Sequence, residues 1–183
     1  MKILIVSDSH GNNGPLRTAI MRENPDMLIH LGDSEYRVSE IAKWAGSPKT
    51  PCVFVKGNCD IYSYNPSIVK PSAVFELKGH KIFCAHGHMQ RVNYGLLTLS
   101  LTAQEQGCDI CMFGHTHVPY DSFGDAVSAF SRYYESGFGM SSSGPRILNP
   151  GSISLPRGGS SRGYMIMDME DDGRYDVRYC LVD

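Results

Sequence analysis

The stretch Lys2-Ile3-Leu4-Ile5-Val6-Ser7-Asp8-Ser9-His10-Gly11 sets the fold class. Its apolar half predicts a short strand over Lys2–Val6, and polar residues Ser7–Asn13 follow it. The same unit recurs along the chain. Met27–Leu31 leads into Gly32-Asp33, Cys52–Val55 into Gly57-Asn58, and Asp109–Phe113 into Gly114-His115-Thr116-His117. Between these strands the spacing predicts helices. Pro15–Glu23 carries Leu16, Ala19 and Ile20 on one face, with Asn12 or Asn13 as its cap. A second helix runs from a Ser34 cap to about Ala45, and a third over Tyr94–Gln106 is stopped by Gly107. That third helix is expected to set Tyr94, Leu97 and Leu101 on one side. Ala73–Leu77 and Lys81–Ala85 read as a hairpin around Lys78-Gly79-His80, and Arg146–Leu148, Tyr164–Met169 and Tyr175–Tyr179 as late strands. Helices interleaved with early strands, then strands alone, predict an α/β layered fold with mixed sheets.

Composition sets the bounds. With 183 residues, 42% of them hydrophobic and 20% charged, the chain is expected to be one domain, 1–183, with a real core. Seventeen basic residues against nineteen acidic ones give a net charge of −2 and no basic run, which argues against a nucleic-acid partner. No apolar run approaches the roughly 20 residues of a membrane span, and the N-terminal run is too short for a signal peptide, so no membrane role and a cytoplasmic location are expected. The six cysteines then read as free thiols. Cys108 and Cys111 form Cys-x-x-Cys without a second pair, and the run around them reads as a buried strand.

The segment Asp121–Gly144 is rich in Ser and Gly, lacks periodicity, and still carries Phe123, Phe130, Tyr133, Tyr134 and Phe138. It reads as a loop insertion over 121–144. Two roles suit it besides a surface loop: a lid whose aromatics stack on an organic ester, or a contact with a second subunit in a homo-oligomer.

The chemistry lies at the strand ends. They supply Asp8, His10, Asp33, Asn58, His86, His88, His115 and His117, with glycines beside them that let backbone approach closely. Asp8 and His10, and likewise His115 and His117, point the same way if the backbone stays extended. Mixed carboxylate and imidazole donors suit Mn, Fe, Zn, Co or Ni better than Ca or Mg. The candidates exceed the needs of one catalytic ion. They favour two, about 3.5–4 Å apart and sharing a carboxylate. Two divalent ions against Asp8 and Asp33 leave about +2, a charge that attracts a phosphate ester and stabilises attack at phosphorus.

These motifs (Asp8-x-His10, Gly32-Asp33, Gly57-Asn58, His86-Gly87-His88, Gly114-His115-x-His117 and Asn149-Pro150-Gly151-Ser152) resemble those of the calcineurin-like metallophosphoesterases, and within them the YfcE-type subgroup of small bacterial and archaeal phosphodiesterases. The resemblance implies a four-layer αββα sandwich with two mixed β-sheets and a dinuclear site at its top. It implies Asp8, His10 and His117 as ligands of one ion, Asn58, His86 and His115 of the other, and Asp33 between them. A hydroxide bridging two divalent transition-metal ions, Mn first and Fe, Ni or Zn as alternates, would attack a small phosphodiester or an activated phosphomonoester. Asn58 and His88 are the expected catalytic contacts to the phosphate. The alternative implied by a degenerate relative is a Vps29-like interaction scaffold without catalysis.

One position departs from the family pattern: Cys59 stands where many members carry a leaving-group histidine, as the subgroup tolerates. A thiol is a weak hydrogen-bonder, so esters with acidic leaving groups are the expected substrates. His30 reads as a structural histidine that at most orients a ligand, His80 as an exposed turn residue and Asp60 as a loop brace. Arg157 reads either as a phosphate fork or as an exposed loop residue.

Overall fold

A computed structural model of the chain describes residues 1–61, 69–123 and 144–182. Two five-stranded sheets form its centre. In the first, β1 (Lys2–Val6), β2 (Met27–His30) and β3 (Cys52–Phe54) run parallel, and β9 (Gly163–Met169) and β10 (Tyr175–Leu181) add antiparallel on the other side of β1. In the second, β5 (His80–Ala85), β6 (Ile110–Met112) and β8 (Arg146–Pro150) are parallel. Antiparallel edge strands β4 (Ser72–Leu77) and β7 (Pro119–Phe123) close it.

The alternation of side chains along the strands divides the core into three layers. Ile3 and Ile5 of β1 meet Ile82, Cys84, Ile110, Met112 and Leu148 between the sheets. Leu4 and Val6 point the opposite way, onto Leu16, Ala19 and Ile20 of α1 (Asn13–Glu23) and Val38 and Ile41 of α2 (Val38–Trp44). Phe83, Cys111 and Phe113 turn from the second sheet onto Leu99 and Ala103 of α3 (Leu97–Glu105). Helix, sheet, sheet, helix is therefore the layer order, and both sheets are mixed, as the sequence implied. Because β1, β5 and β6 are covered on both faces, their sequences run nearly continuously apolar instead of alternating. Cys108 and Cys111 are buried in the outer layer, and all six cysteines are free. Among the described residues no helix is long and apolar enough to cross a membrane.

Several local expectations change. Helix α2 begins at Val38 and not after Ser34, because the Ser34 hydroxyl is engaged with Tyr36 O at 3.3 Å and Asp60 Oδ1 at 3.1 Å. The third helix starts at Leu97, after a 3₁₀ turn at Val92–Tyr94 and Gly95 at φ 135°, so Tyr94 is exposed and Leu99, Ser100 and Ala103 face inward. Leucines at 96, 97, 99 and 101 surround this helix, so more than one face reads as apolar, and the small Ala103 lets the Leu99 face lie closest to the sheet. Residues Asp121–Phe123, expected to open the loop insertion, belong to β7. Its sequence does not announce a strand because it is an edge held by pairing with β8, with Pro119 at its first position. The remainder of the proposed lid, 124–143, lies outside the described residues.

His80 is also more than a turn residue. The two-residue turn Lys78-Gly79 has φ of 49° and 85°, which leaves His80 as the first residue of β5. Its Nδ1 bonds the Asp109 carboxylate, its Nε2 bonds Gly173 O at 2.8 Å, and its ring meets the Tyr175 ring edge-on. Both ring nitrogens face acceptors, so the clamp is complete only in the imidazolium form. Burial disfavours that charge, but the Asp109 and Gly173 bonds outweigh it and raise the pKa above the usual histidine value. A raised folded-state pKa stabilises fully below the unfolded value near 6.5, and the gain is lost as pH climbs through the folded value. The stability difference between the wild-type protein and His80→Asn in urea is expected to be about 0.5 kcal/mol at pH 6 and to shrink toward zero by pH 9. A difference that grows with pH would contradict the clamp.

Candidate metal centre

Every candidate side chain sits just beyond the carboxyl end of a strand, where the two sheets open at one edge. Asp8 and His10 follow β1, Asp33 follows β2, Asn58 follows β3, His86 and His88 follow β5, and His115 and His117 follow β6. The backbone of five of these eight residues is not extended. Asp8, His10, Asp33, His115 and His117 have φ of 57°, 45°, 52°, 67° and 61°, all left-handed. The extended-strand explanation for the two i, i+2 pairs is therefore replaced. Tight turns aim these side chains, and each non-glycine residue in that region costs about 1–3 kcal/mol that the surroundings must hold in place.

The holding contacts are visible. Asp8 O accepts bonds from Ser152 Oγ (2.7 Å) and Ser154 Oγ (2.9 Å). Buried Asn149 donates to Gly114 O and Thr116 Oγ1, each at 3.0 Å, which fixes the His115–His117 turn. Asp60 braces two loops at once. Its Oδ2 accepts the N–H of Asp33 (2.8 Å) and Gly57 (2.9 Å), and its Oδ1 accepts Glu35 N–H (2.9 Å) and Ser34 Oγ (3.1 Å). Two glycines make room for the carboxylates. A Cβ on Gly57 would fall 1.9 Å from Asp33 Oδ1, and one on Gly114 would fall 2.0 Å from Ser7 Oγ and 2.9 Å from Asp8 Oδ2.

Hydrogen bonding fixes which nitrogen of each ring faces the centre. His86 gives Nδ1–H to Leu31 O at 2.7 Å, and His117 gives Nδ1–H to Leu155 O at 2.6 Å. His10 gives Nδ1–H to Glu35 Oε1 at 2.5 Å. In the neutral rings, three unprotonated Nε2 atoms then converge on two carboxylates. His117 Nε2 is 3.1 Å from Asp8 Oδ1 and 3.2 Å from His10 Nε2. His86 Nε2 is 3.3 Å from Asp33 Oδ2, and His10 Nε2 is 3.9 Å from the same oxygen. Asp8 Oδ1 and His86 Nε2 are buried with no hydrogen-bond partner. With the rings neutral, these five electron donors repel one another unless cations lie between, so this donor set fits metal ions. Among the described residues three groups have ligand atoms within 4.8 Å of one another: Asp8, His10 and His117; Asp8, Asp33 and His86; and, on the solvent side, His10, Glu35 and Cys59. Asp33 Oδ2 faces both His10 and His86, and Asp8 belongs to the first two groups, its Oδ1 lying 3.1 Å from His117 Nε2 and 3.9 Å from His86 Nε2.

The electrostatics follow from this crowding. Burial raises the pKa of Asp8, yet protons taken up by His117 and His86 when no cation is present outweigh it and hold the carboxyl below its ordinary range. Asp33 is buried too, and a proton on His86, favoured there by the two carboxylates, together with the Cys59 N–H at 2.7 Å holds it well below.

The remaining candidates surround this core. His115 packs edge-on to His86, with ring centroids 5.1 Å apart, and its Nε2 faces Asn93 Nδ2 at 3.1 Å. Half-buried His88 lies 5.3 Å from the His86 ring, with Nδ1 unpartnered. Asn58 is exposed, and its Nδ2 donates to Cys59 Sγ at 3.1 Å. Burial, with the Asp33 carboxylate beside it, pushes the Cys59 thiol up to about 12, so it stays protonated at neutral pH. His30 is buried behind the site. Its Nδ1 accepts Gly32 N–H at 3.3 Å and its Nε2 meets Ser9 Oγ at 3.2 Å, and burial lowers its pKa to about 4, so the ring is neutral. Arg157 is exposed, and only its backbone N–H reaches the site, donating to His117 O at 3.2 Å. The sequence reading missed Glu35. Its one signal was an acidic residue two places after Asp33, which is ordinary in a polar loop.

The calcineurin-like phosphoesterase superfamily domain matches residues 1–172. The probable metallophosphoesterase YsnB of Bacillus subtilis is 33% identical over 174 residues, covering 94% of this chain and 86% of that protein. The phosphodiesterase YfcE of Escherichia coli is 24% identical over 187 residues, covering 92% and 88%. Among solved structures, a predicted phosphoesterase from Streptococcus pneumoniae superposes with a TM-score of 0.71 at 30% identity, covering 99% of this chain and 89% of that one.

Proposed function

The chain belongs to the calcineurin-like phosphoesterase superfamily, and from that premise we propose that it is a metal-dependent phosphodiesterase acting on a small phosphodiester or an activated phosphomonoester. The observation that carries this reading is the convergence of three imidazole Nε2 atoms, each ring anchored outward through its Nδ1, on two carboxylate oxygens, two of the five atoms being buried and unpartnered. Asp8, His10 and His117 would hold one divalent ion, Asn58, His86 and His115 a second, and Asp33 would be shared. Mn is the first choice for both ions, with Fe, Ni or Zn as alternates. Bound there, the ions supply the acidity that makes hydroxide available near pH 7 and the positive charge that offsets the phosphoryl oxygens. The chain's own residues do the rest. His86 and His117 keep their Nε2 lone pairs inward through their bonds to Leu31 O and Leu155 O. Asn58 and His88 would touch the ester oxygens.

The test is direct. Protein stripped with a chelator should not hydrolyse bis-p-nitrophenyl phosphate, and adding Mn should restore turnover with two ions bound per chain. Hydrolysis by metal-free protein would overturn the reading. Failure to take up any ion would leave the non-catalytic scaffold in its place.

Cys59 sets the substrate preference. A neutral thiol at this position protonates a departing alkoxide poorly, so p-nitrophenyl esters should turn over faster than alkyl esters. Cys59→His is expected to raise hydrolysis of an alkyl ester roughly 10-fold while leaving the bound metal unchanged. An unchanged or slower rate, with both ions still present, would remove Cys59 from the leaving-group position.

A further inference from the structure

The three inward-facing histidines are not held alike. His86 and His117 lean on backbone carbonyls, which are neutral. His10 leans on a carboxylate, Glu35, at 2.5 Å. The loop holds that carboxylate in place. Glu35 sits at φ 48°, its N–H is bonded to Asp60 Oδ1 at 2.9 Å, and the adjacent Ser34 O takes the Gly11 N–H at 3.0 Å. Its side chain is 41% exposed, so packing does not explain the placement, and an exposed ion pair by itself contributes little stability.

We propose that Glu35 is a positioning residue for one of the two metal ions. It fixes His10 in the tautomer that turns Nε2 toward Asp8 and His117, and its negative charge makes that nitrogen a stronger donor than one held by a carbonyl. The Asp8–His10–His117 half of the centre is therefore the half whose affinity Glu35 sets. The half containing His86 has no carboxylate behind its imidazole among the contacts described here. The two ions are thus unequal by construction, and a single solvent-facing side chain controls the difference. This inference rests on the dinuclear reading above.

Full-length protein, stripped of metal, should be titrated calorimetrically with Mn alone as wild type, Glu35→Gln and Glu35→Ala. Thermal denaturation of each metal-free form accompanies the titration. In Glu35→Ala one of the two ions should bind about 10- to 100-fold more weakly, and the other as in wild type. The metal-free melting temperature should not move, because the side chain is exposed. Glu35→Gln retains an oxygen that accepts the Nδ1–H but loses the charge, so its weakened ion should fall between the other two proteins. Two ions of wild-type affinity in Glu35→Ala would overturn the proposal. So would equal weakening of both ions together with a lowered melting temperature, which would mark a structural role. A wild-type protein that binds no Mn would overturn the centre itself, and this inference with it.

Discussion

Asp33→Asn should remove at least one bound ion and lower turnover of bis-p-nitrophenyl phosphate by about 1,000-fold or more, while the metal-free protein stays as stable as wild type. The substitution is nearly isosteric, so its effect can be followed atom by atom. Oδ1 of Asp33 accepts the Cys59 N–H at 2.7 Å, and the amide oxygen of asparagine can keep that bond. The amide nitrogen then takes the place of Oδ2, which lies 3.3 Å from His86 Nε2 and 3.9 Å from His10 Nε2. With both rings neutral, a carboxylate oxygen there presents a lone pair to two lone pairs. An amide N–H presents a donor instead, and so relieves the repulsion that metal ions otherwise relieve.

The variant should therefore be content without metal and poor at binding it. On the proposed dinuclear reading the substitution removes a charge and a shared ligand from the site, and a deficit of about 4 kcal/mol in transition-state stabilisation corresponds to the 1,000-fold expected. Melting curves with and without Mn separate the two effects. Wild type should gain stability with added Mn through mass action, and Asp33→Asn should gain little or none. A variant that keeps two ions and most of its activity would show that Asp33 does not lie between them.

This geometry also shows what the sequence can and cannot express. The strand-end positions of Asp8, Asp33, His86 and His117 were legible because apolar runs and the residues that end them are local patterns. The layer order was legible because buried strands and amphipathic helices have different periods. The left-handed turns at Asp8, His10 and Asp33 were not, since Asp and His only modestly favour that conformation and nothing local marks which of them adopt it. The partners that impose it come from far along the chain: Ser152 and Ser154 hold Asp8 across 144 and 146 residues. Glu35 was missed for a related reason. Its role depends on which nitrogen of His10 faces it, and that is a fact of three-dimensional contact. Strand β7 escaped notice because an edge strand takes its stability from the neighbour it pairs with more than from its own composition.

Among these long-range contacts, Asp60 is expected to matter most for folding. Asp60→Ala should destabilise the protein by about 3–5 kcal/mol and weaken metal binding by about 10- to 100-fold. The buried carboxylate accepts three backbone N–H groups and one hydroxyl, all from the loops that follow β2 and β3. Alanine leaves those donors facing a void, and each buried donor without a partner costs about 1–3 kcal/mol, partly offset where water enters. Two of the three N–H groups belong to Asp33 and Glu35, so the loss also loosens the residues that face His86 and His10. Asp60→Asn should fall between wild type and alanine. One of its two terminal atoms must become a donor, which confronts either the Asp33 and Gly57 pair or the Glu35 and Ser34 pair with like hydrogens. Urea unfolding of the metal-free proteins checks the order, with the exposed Asp176→Ala as a control expected to stay within about 0.5 kcal/mol of wild type. Equal stability of wild type and Asp60→Ala would mean that the two loops hold their shape without this carboxylate, and the left-handed turn at Asp33 would then need another cause.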